Sequence, residues 1–132
     1  MGTAKEKSMK PPCLASIRTT IESVIEQNRS TLREASARGT PAPSCAAYLR
    51  QNSYVPDPVD ERVRGVSSLL ATPTSMEIED ATAWRMAELL EKGEAARFEF
   101  IAICRGDGPY FPQSILIIRG DGRFENPLNP HE

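Results

Sequence analysis

The feature that most constrains this chain is a change in the texture of its apolar residues at Gly93. Before it, apolar residues recur every three or four positions, the period of a helix with one buried face. After it, β-branched and aromatic residues gather in short runs bounded by Gly, Pro and Asp. Helical segments first and strands after are the order of an α+β fold. The expected architecture is three or four helices followed by a small antiparallel sheet of two or three strands.

Leu14, Ile17, Ile21, Val24, Ile25, Leu32 and Ala35 mark a helix over Leu14–Ala37, stopped by Gly39 and Pro41. Ser44 is placed to cap a short helix over Cys45–Gln51, and 52–58 reads as loop. Asp57-Pro58 is a helix entrance, since Asp accepts orphan amides and Pro at the first position loses no bond. Val59, Val63, Val66 and Leu69 or Leu70 would form its buried stripe, weakened by Gly65. Thr74-Ser75-Met76-Glu77 fits a capping box, predicting a helix over Ser75–Lys92 that ends at Gly93.

Arg97–Cys104 alternates in part, with Phe98, Phe100, Ala102 and Cys104 on one face and Ile101 and Ile103 on the other. Within Ser114–Ile118, four apolar residues follow one another, a pattern that predicts a strand covered on both sides. Arg105–Gln113 is the expected hairpin loop. Asp121-Gly122 signals a tight turn into a third strand over Arg123–Glu125, stopped by Pro127 and Pro130. Phe98, Phe100, Ile101, Ile103, Ile115 and Ile117 are expected to pack against the helix that carries Trp84.

A length of 132 residues suits one domain. It is expected over 13–126, between a disordered basic tail at 1–12, which holds Lys5, Lys7 and Lys10, and a C-terminal tail at 127–132. A net charge of −2 argues against attachment to nucleic acid or an anionic membrane by bulk electrostatics. The halves differ: residues 1–66 carry ten Lys or Arg against seven acids, and residues 67–132 six against eleven. No apolar run is long enough to cross a membrane and no secretory pattern opens the chain, so the expected location is the cytoplasm. Cys13, Cys45 and Cys104 are odd in number and widely spaced, and read as reduced thiols.

His131, the one histidine, stands beyond two prolines near the end of the chain. Nucleophilic mechanisms built on Ser or Cys need an imidazole held beside the nucleophile, and zinc sites need closely spaced His or Cys. Neither pattern is present, nor a phosphate-binding Gly-rich loop or a nucleophile elbow. No catalytic residue, metal or cofactor is expected. Carboxylate chemistry is a further alternative, from Glu77, Glu79 and Asp80 at one end of the Trp84 helix and Glu88, Glu91 and Glu94 at the other. Acids near a helix N-terminus have a simpler cause in the helix dipole. Arg-Gly-Asp-Gly occurs twice, at Arg105–Gly108 and Arg119–Gly122. Such segments can cradle anions, but Gly and Asp are also what hairpin turns require.

Two binding readings follow. In the first, the chain is a non-enzymatic protein-binding domain, a regulator, inhibitor or adaptor, and a candidate homodimer. Leu14, Ile17, Ile21, Val24 and Asn28 fall on a heptad seam, where a polar Asn28 would fix register. The same spacing serves a helix packed on its own domain. In the second, helices followed by a hairpin resemble a winged-helix DNA-binding regulator. Ala81–Gly93 is similar to a recognition helix, and Arg97, Arg105, Arg119 and Arg123 would contact the backbone from the wing. Five acids against Arg85 and Lys92 between Glu77 and Lys92 weigh against that reading, because such a helix repels phosphates.

Overall fold

The structure, a computed structural model, describes residues 14–53, 63–103 and 112–130. The expected tail at 1–12, Asp57-Pro58, Cys13, Cys104, Arg105 with the first Arg-Gly-Asp-Gly segment, and His131 lie outside the described residues. Among those described, four helices precede three strands: α1 (Leu14–Ala37), α2 (Cys45–Asn52), α3 (Val66–Ala71), α4 (Ile78–Glu91), β1 (Ala96–Ile103), β2 (Pro112–Arg119) and β3 (Phe124–Glu125). The strands form one antiparallel sheet in the order β1-β2-β3. The chain thus adopts the α+β arrangement expected from the change at Gly93.

Both glycine stops act as anticipated. Gly39 and Gly93 have φ of 81° and 82°. Thr40 N–H reaches back to Ala35 O while Gly39 N–H takes Ser36 O, and Glu94 and Gly93 repeat the pattern on Leu89 and Leu90. This closes the last carbonyls in a left-handed turn that a Cβ would strain. Ser44 caps α2 by accepting the Ala47 N–H at 3.0 Å.

Two helix starts differ from the sequence expectation. The third helix begins at Val66, with Val63–Gly65 outside it. Its backbone is drawn instead to side chains of the long helices: Arg64 N–H donates to Asp80 Oδ1 at 2.8 Å and Val66 N–H to Asn28 Oδ1 at 2.9 Å. Gly65 permits this approach, since a Cβ there would sit 3.1 Å from Asn28 Oδ1. Likewise α4 begins at Ile78, with Glu77 as N-cap and Asp80 closing a capping box on the Glu77 N–H at 3.2 Å. Thr74 is held elsewhere: its N–H donates to the Tyr48 hydroxyl at 2.9 Å and its carbonyl accepts from that hydroxyl at 2.9 Å.

The centre of the molecule is α4, in which every residue from Asp80 to Ala87 is buried. One side of it, with Ala83, Met86, Ala87 and Leu89, packs on Ile21, Val24 and Ile25 of α1 and on Phe98, Ile115 and Ile117 of the sheet. The other side, with Ala81 and Trp84, packs on Cys45 and Tyr48 of α2 and on Val66 and Leu69 of α3. Trp84 therefore faces the short helices rather than the sheet, and its ring lies 5.1 Å from that of Tyr48. The sheet meets the opposite side of the same helix.

Ionic clasps tie the layers together. Glu91 of α4 accepts from Arg29 at 2.6 Å and from Arg33 at 3.0 Å on α1. These hydrogen bonds, Arg33's first, hold the Glu91 carboxyl down from an ordinary 4.5 to about 2. At the other end of α1, Arg18 donates to Phe98 O at 3.2 Å and to Glu99 at 3.1 Å, with its guanidinium over the Phe98 and Phe100 rings.

Candidate protein-interaction face

The residues singled out from sequence are distributed by the fold in three ways. Ile21, Val24 and Asn28 are buried within the chain itself, and Ile17 is partly buried against the same core. The side chain of Leu14 lies outside the described ones. The heptad stripe of α1 is therefore spent on α4 and α3, and Asn28, rather than setting register with a second helix, caps α3 through Val66 N–H. A face used in this way is not offered to a partner.

Of the four arginines assigned to a wing, Arg105 is outside the described residues. Arg119 is largely buried and donates to Glu125 at 3.0 Å and to Glu94. Arg97 and Arg123 are exposed, each beside an acid: Arg97 lies 2.7 Å from Glu99 and Arg123 2.6 Å from Asp121. The helix that resembles a recognition helix is α4, enclosed on both sides, so no free face of it remains to enter a groove. The second Arg-Gly-Asp-Gly segment is a turn: Gly122 N–H donates to Arg119 O at 2.8 Å and Asp121 accepts the Arg123 N–H at 3.0 Å. That backbone bond, foremost, lowers the Asp121 pKa.

The acids considered for catalysis serve the fold. Glu88 accepts from Cys45 N–H at 2.8 Å, which caps α2 from outside, and from Arg85 at 3.0 Å. Arg85 grips Glu125 of β3 with two bonds, 2.5 and 3.2 Å long, both residues being 2% exposed. Burial works to lower the Arg85 pKa, but the bonds to Glu125 and Glu88 outweigh it and raise it. Through Arg119 the same Glu125 is joined to Glu94. The Glu79 pKa is raised, chiefly by burial. Among the described residues no group of three or more His, Cys, Asp or Glu could hold a metal ion.

What remains is the sheet. Paired residues share a face of an antiparallel ladder. Phe98 with Ile117 and Glu125, and Phe100 with Ile115, point to the core. Arg97, Ile118 and Phe124 form one row on the opposite face, and Glu99 with Leu116 the next. The register shifts after Phe100, and Ile101 within this irregularity is 54% exposed. Phe124 is 65% exposed, while Leu116 and Ile118 are only half-buried. So the unbroken apolar run of β2, expected to be covered on both sides, is covered on one: the described helices that meet the sheet, α4 and, through Arg18, α1, do so on its Phe98 and Ile117 side.

Beside this apolar row, at the turn end of the sheet, lies a shallow hollow of about 380 Å³ lined by Ala95, Ala96, Arg97, Ile118, Arg119 and the turn glycines. It exists because small residues meet there. Gly120 N–H donates to Ala95 O at 2.8 Å, and a Cβ on Gly120 would come within 2.9 Å of the Ala95 Cβ. Exposed Phe124, paired with Ile118, stands next to the hollow.

Sequence reasoning named Arg97 and Arg123 near this face but for another purpose, and did not single out Ile101, Leu116, Ile118 or Phe124 as a surface. The signal was nevertheless present in the uninterrupted apolar run of β2. The chain matches no known protein family, no curated protein and no solved structure.

Proposed function

We propose that this chain is a non-enzymatic protein-binding domain, a regulator, inhibitor or adaptor, and that it binds through the outer face of its sheet. The observation that supports this is the half-covered strand β2. Strands with apolar residues on both faces are normally enclosed on both, and here Leu116 and Ile118, flanked by exposed Ile101 and Phe124, have no described helix against them. Enclosing one such aromatic or aliphatic side chain contributes roughly 1.5–3 kcal/mol, so a partner that covers this row gains what the chain leaves exposed.

The test is comparison of two chains in cells, each fused to a proximity-labelling enzyme: wild type and the double variant Ile101→Asp/Phe124→Asp. Both substitutions fall on exposed positions and should leave the fold intact. The expected result is a set of protein neighbours that the variant marks at least ~10-fold less, a loss that corresponds to about 1.4 kcal/mol of binding. Equal labelling by both chains would remove the sheet face from the account.

A further inference from the structure

We propose that the partner seated on this face is a second copy of the chain, paired about a two-fold axis so that each Phe124 enters the hollow of the other copy. This rests on the reading of the sheet face as a binding surface, and adds the identity of the occupant.

An isologous contact needs a patch that complements itself, because the same residues come from both sides. This one does so in shape. The exposed Phe124 ring is a projection, and the hollow framed by Ala95, Arg97, Ile118 and Gly120 lies beside it in the same row of the sheet. A two-fold axis passing midway between knob and hollow, so that they lie on opposite sides of it, brings each knob onto the other copy's hollow. Aromatic side chains in pockets are also the commonest anchors of protein contacts.

It does so in charge as well. The exposed ionised residues of the face and its turn are Arg97, Arg123, Glu99 and Asp121, two of each sign, all at least 43% exposed in their side chains, with Arg18 reaching Glu99 as well. A face with balanced charge does not repel its own copy, whereas a partner of strong single-sign charge would gain nothing from it.

The edges of the sheet are closed to the alternative of strand addition. Arg18 occupies the Phe98 carbonyl on β1, while β3 is two residues long and runs into a turn closed by the Asn126–Asn129 bridge. Short and obstructed edges discourage pairing, which leaves the face. The eight-residue strands β1 and β2 at the usual rise and spacing present a patch of about 26 by 10 Å, to which the two-residue β3 adds one corner. That is smaller than a standard interface, so the dimer is weak and forms with rising concentration.

The experiment is sedimentation equilibrium of the full chain from low micromolar to about 1 mM, with four samples: wild type, Phe124→Asp, Arg97→Glu and Glu99→Lys, and the last two also mixed. The wild type is expected to dimerise with a micromolar or weaker constant, and Phe124→Asp to weaken it on the order of 30-fold with an unchanged circular dichroism spectrum. Arg97→Glu makes the face acidic and Glu99→Lys makes it basic, so each alone should be monomeric and the mixture should pair. A wild type that stays monomeric throughout, or a dimer indifferent to Phe124→Asp, overturns the proposal. If that monomer still labels its neighbours through the sheet face, the second copy falls and the binding reading stands. If labelling is also indifferent to the face, both fall.

Discussion

Glu125 shows how little of this chain's charge is free for chemistry. It sits on a two-residue strand with 2% of its surface exposed, yet it holds Arg85 by two bonds and Arg119 by one. A buried carboxylate contributes only while its partners satisfy it, and removing one member of such a set leaves uncompensated charge behind. Glu125→Gln is therefore expected to cost about 3 kcal/mol, read as a drop in the urea midpoint at unchanged slope. A loss below about 1 kcal/mol, the range of exposed pairs, would mean that the network is solvated rather than enclosed. Of its members, sequence reading named Arg119 and Glu88 and Glu94 for other roles. Pairing of residues 40 positions apart leaves no local pattern to read.

At the scale of elements, the two short helices owe their starts to side chains on the long ones. Asn28 serves α3 and Glu88 serves α2 in addition to Ser44. The glycine stops at Gly39 and Gly93 were legible, because a left-handed turn requires one residue type and is decided by neighbours in the chain. The start of α3 was not, because the groups that satisfy its first amides come from α1 and α4; that of α4 was placed too early because Tyr48 holds Thr74 while Glu77 and Asp80 form the capping box. Thr74 is the sharpest case. As the N-cap that the sequence predicts, it would lose about 1 kcal/mol on replacement by Val. In the structure its hydroxyl is buried without a partner among the described residues, so Thr74→Val should be neutral or slightly stabilising. Asp80→Ala should cost at least about 2 kcal/mol, because it removes the capping box and takes a carboxylate away from Arg64. Chemical unfolding of the two variants distinguishes the assignments: a 1 kcal/mol loss in Thr74→Val would return the N-cap to Thr74.

For the molecule as a whole, the order of elements and the sheet were legible from the change of texture at Gly93, whereas the division of surfaces was not. A heptad stripe on α1 has the same spacing whether it meets a second molecule or α4, and here Ile21 and Val24 meet α4. The apolar run of β2 carries a demand for cover on two sides and says nothing of where the second cover comes from. Pro127, fully buried, and the bridge from Asn126 to Asn129 carry the packed part of the chain beyond the boundary expected at residue 126. No helix among the described residues is long and apolar enough to cross a membrane. The central claim, that a second copy of the chain seats on the outer sheet face and not on α1, is tested most directly by backbone amide spectra of the isotope-labelled protein across a concentration series. The expected result is concentration-dependent shifts confined to Arg97, Glu99, Ile101, Leu116, Ile118, Phe124 and the turn at Gly120–Gly122. Shifts confined to the exposed side of α1, or none at any concentration, would contradict it.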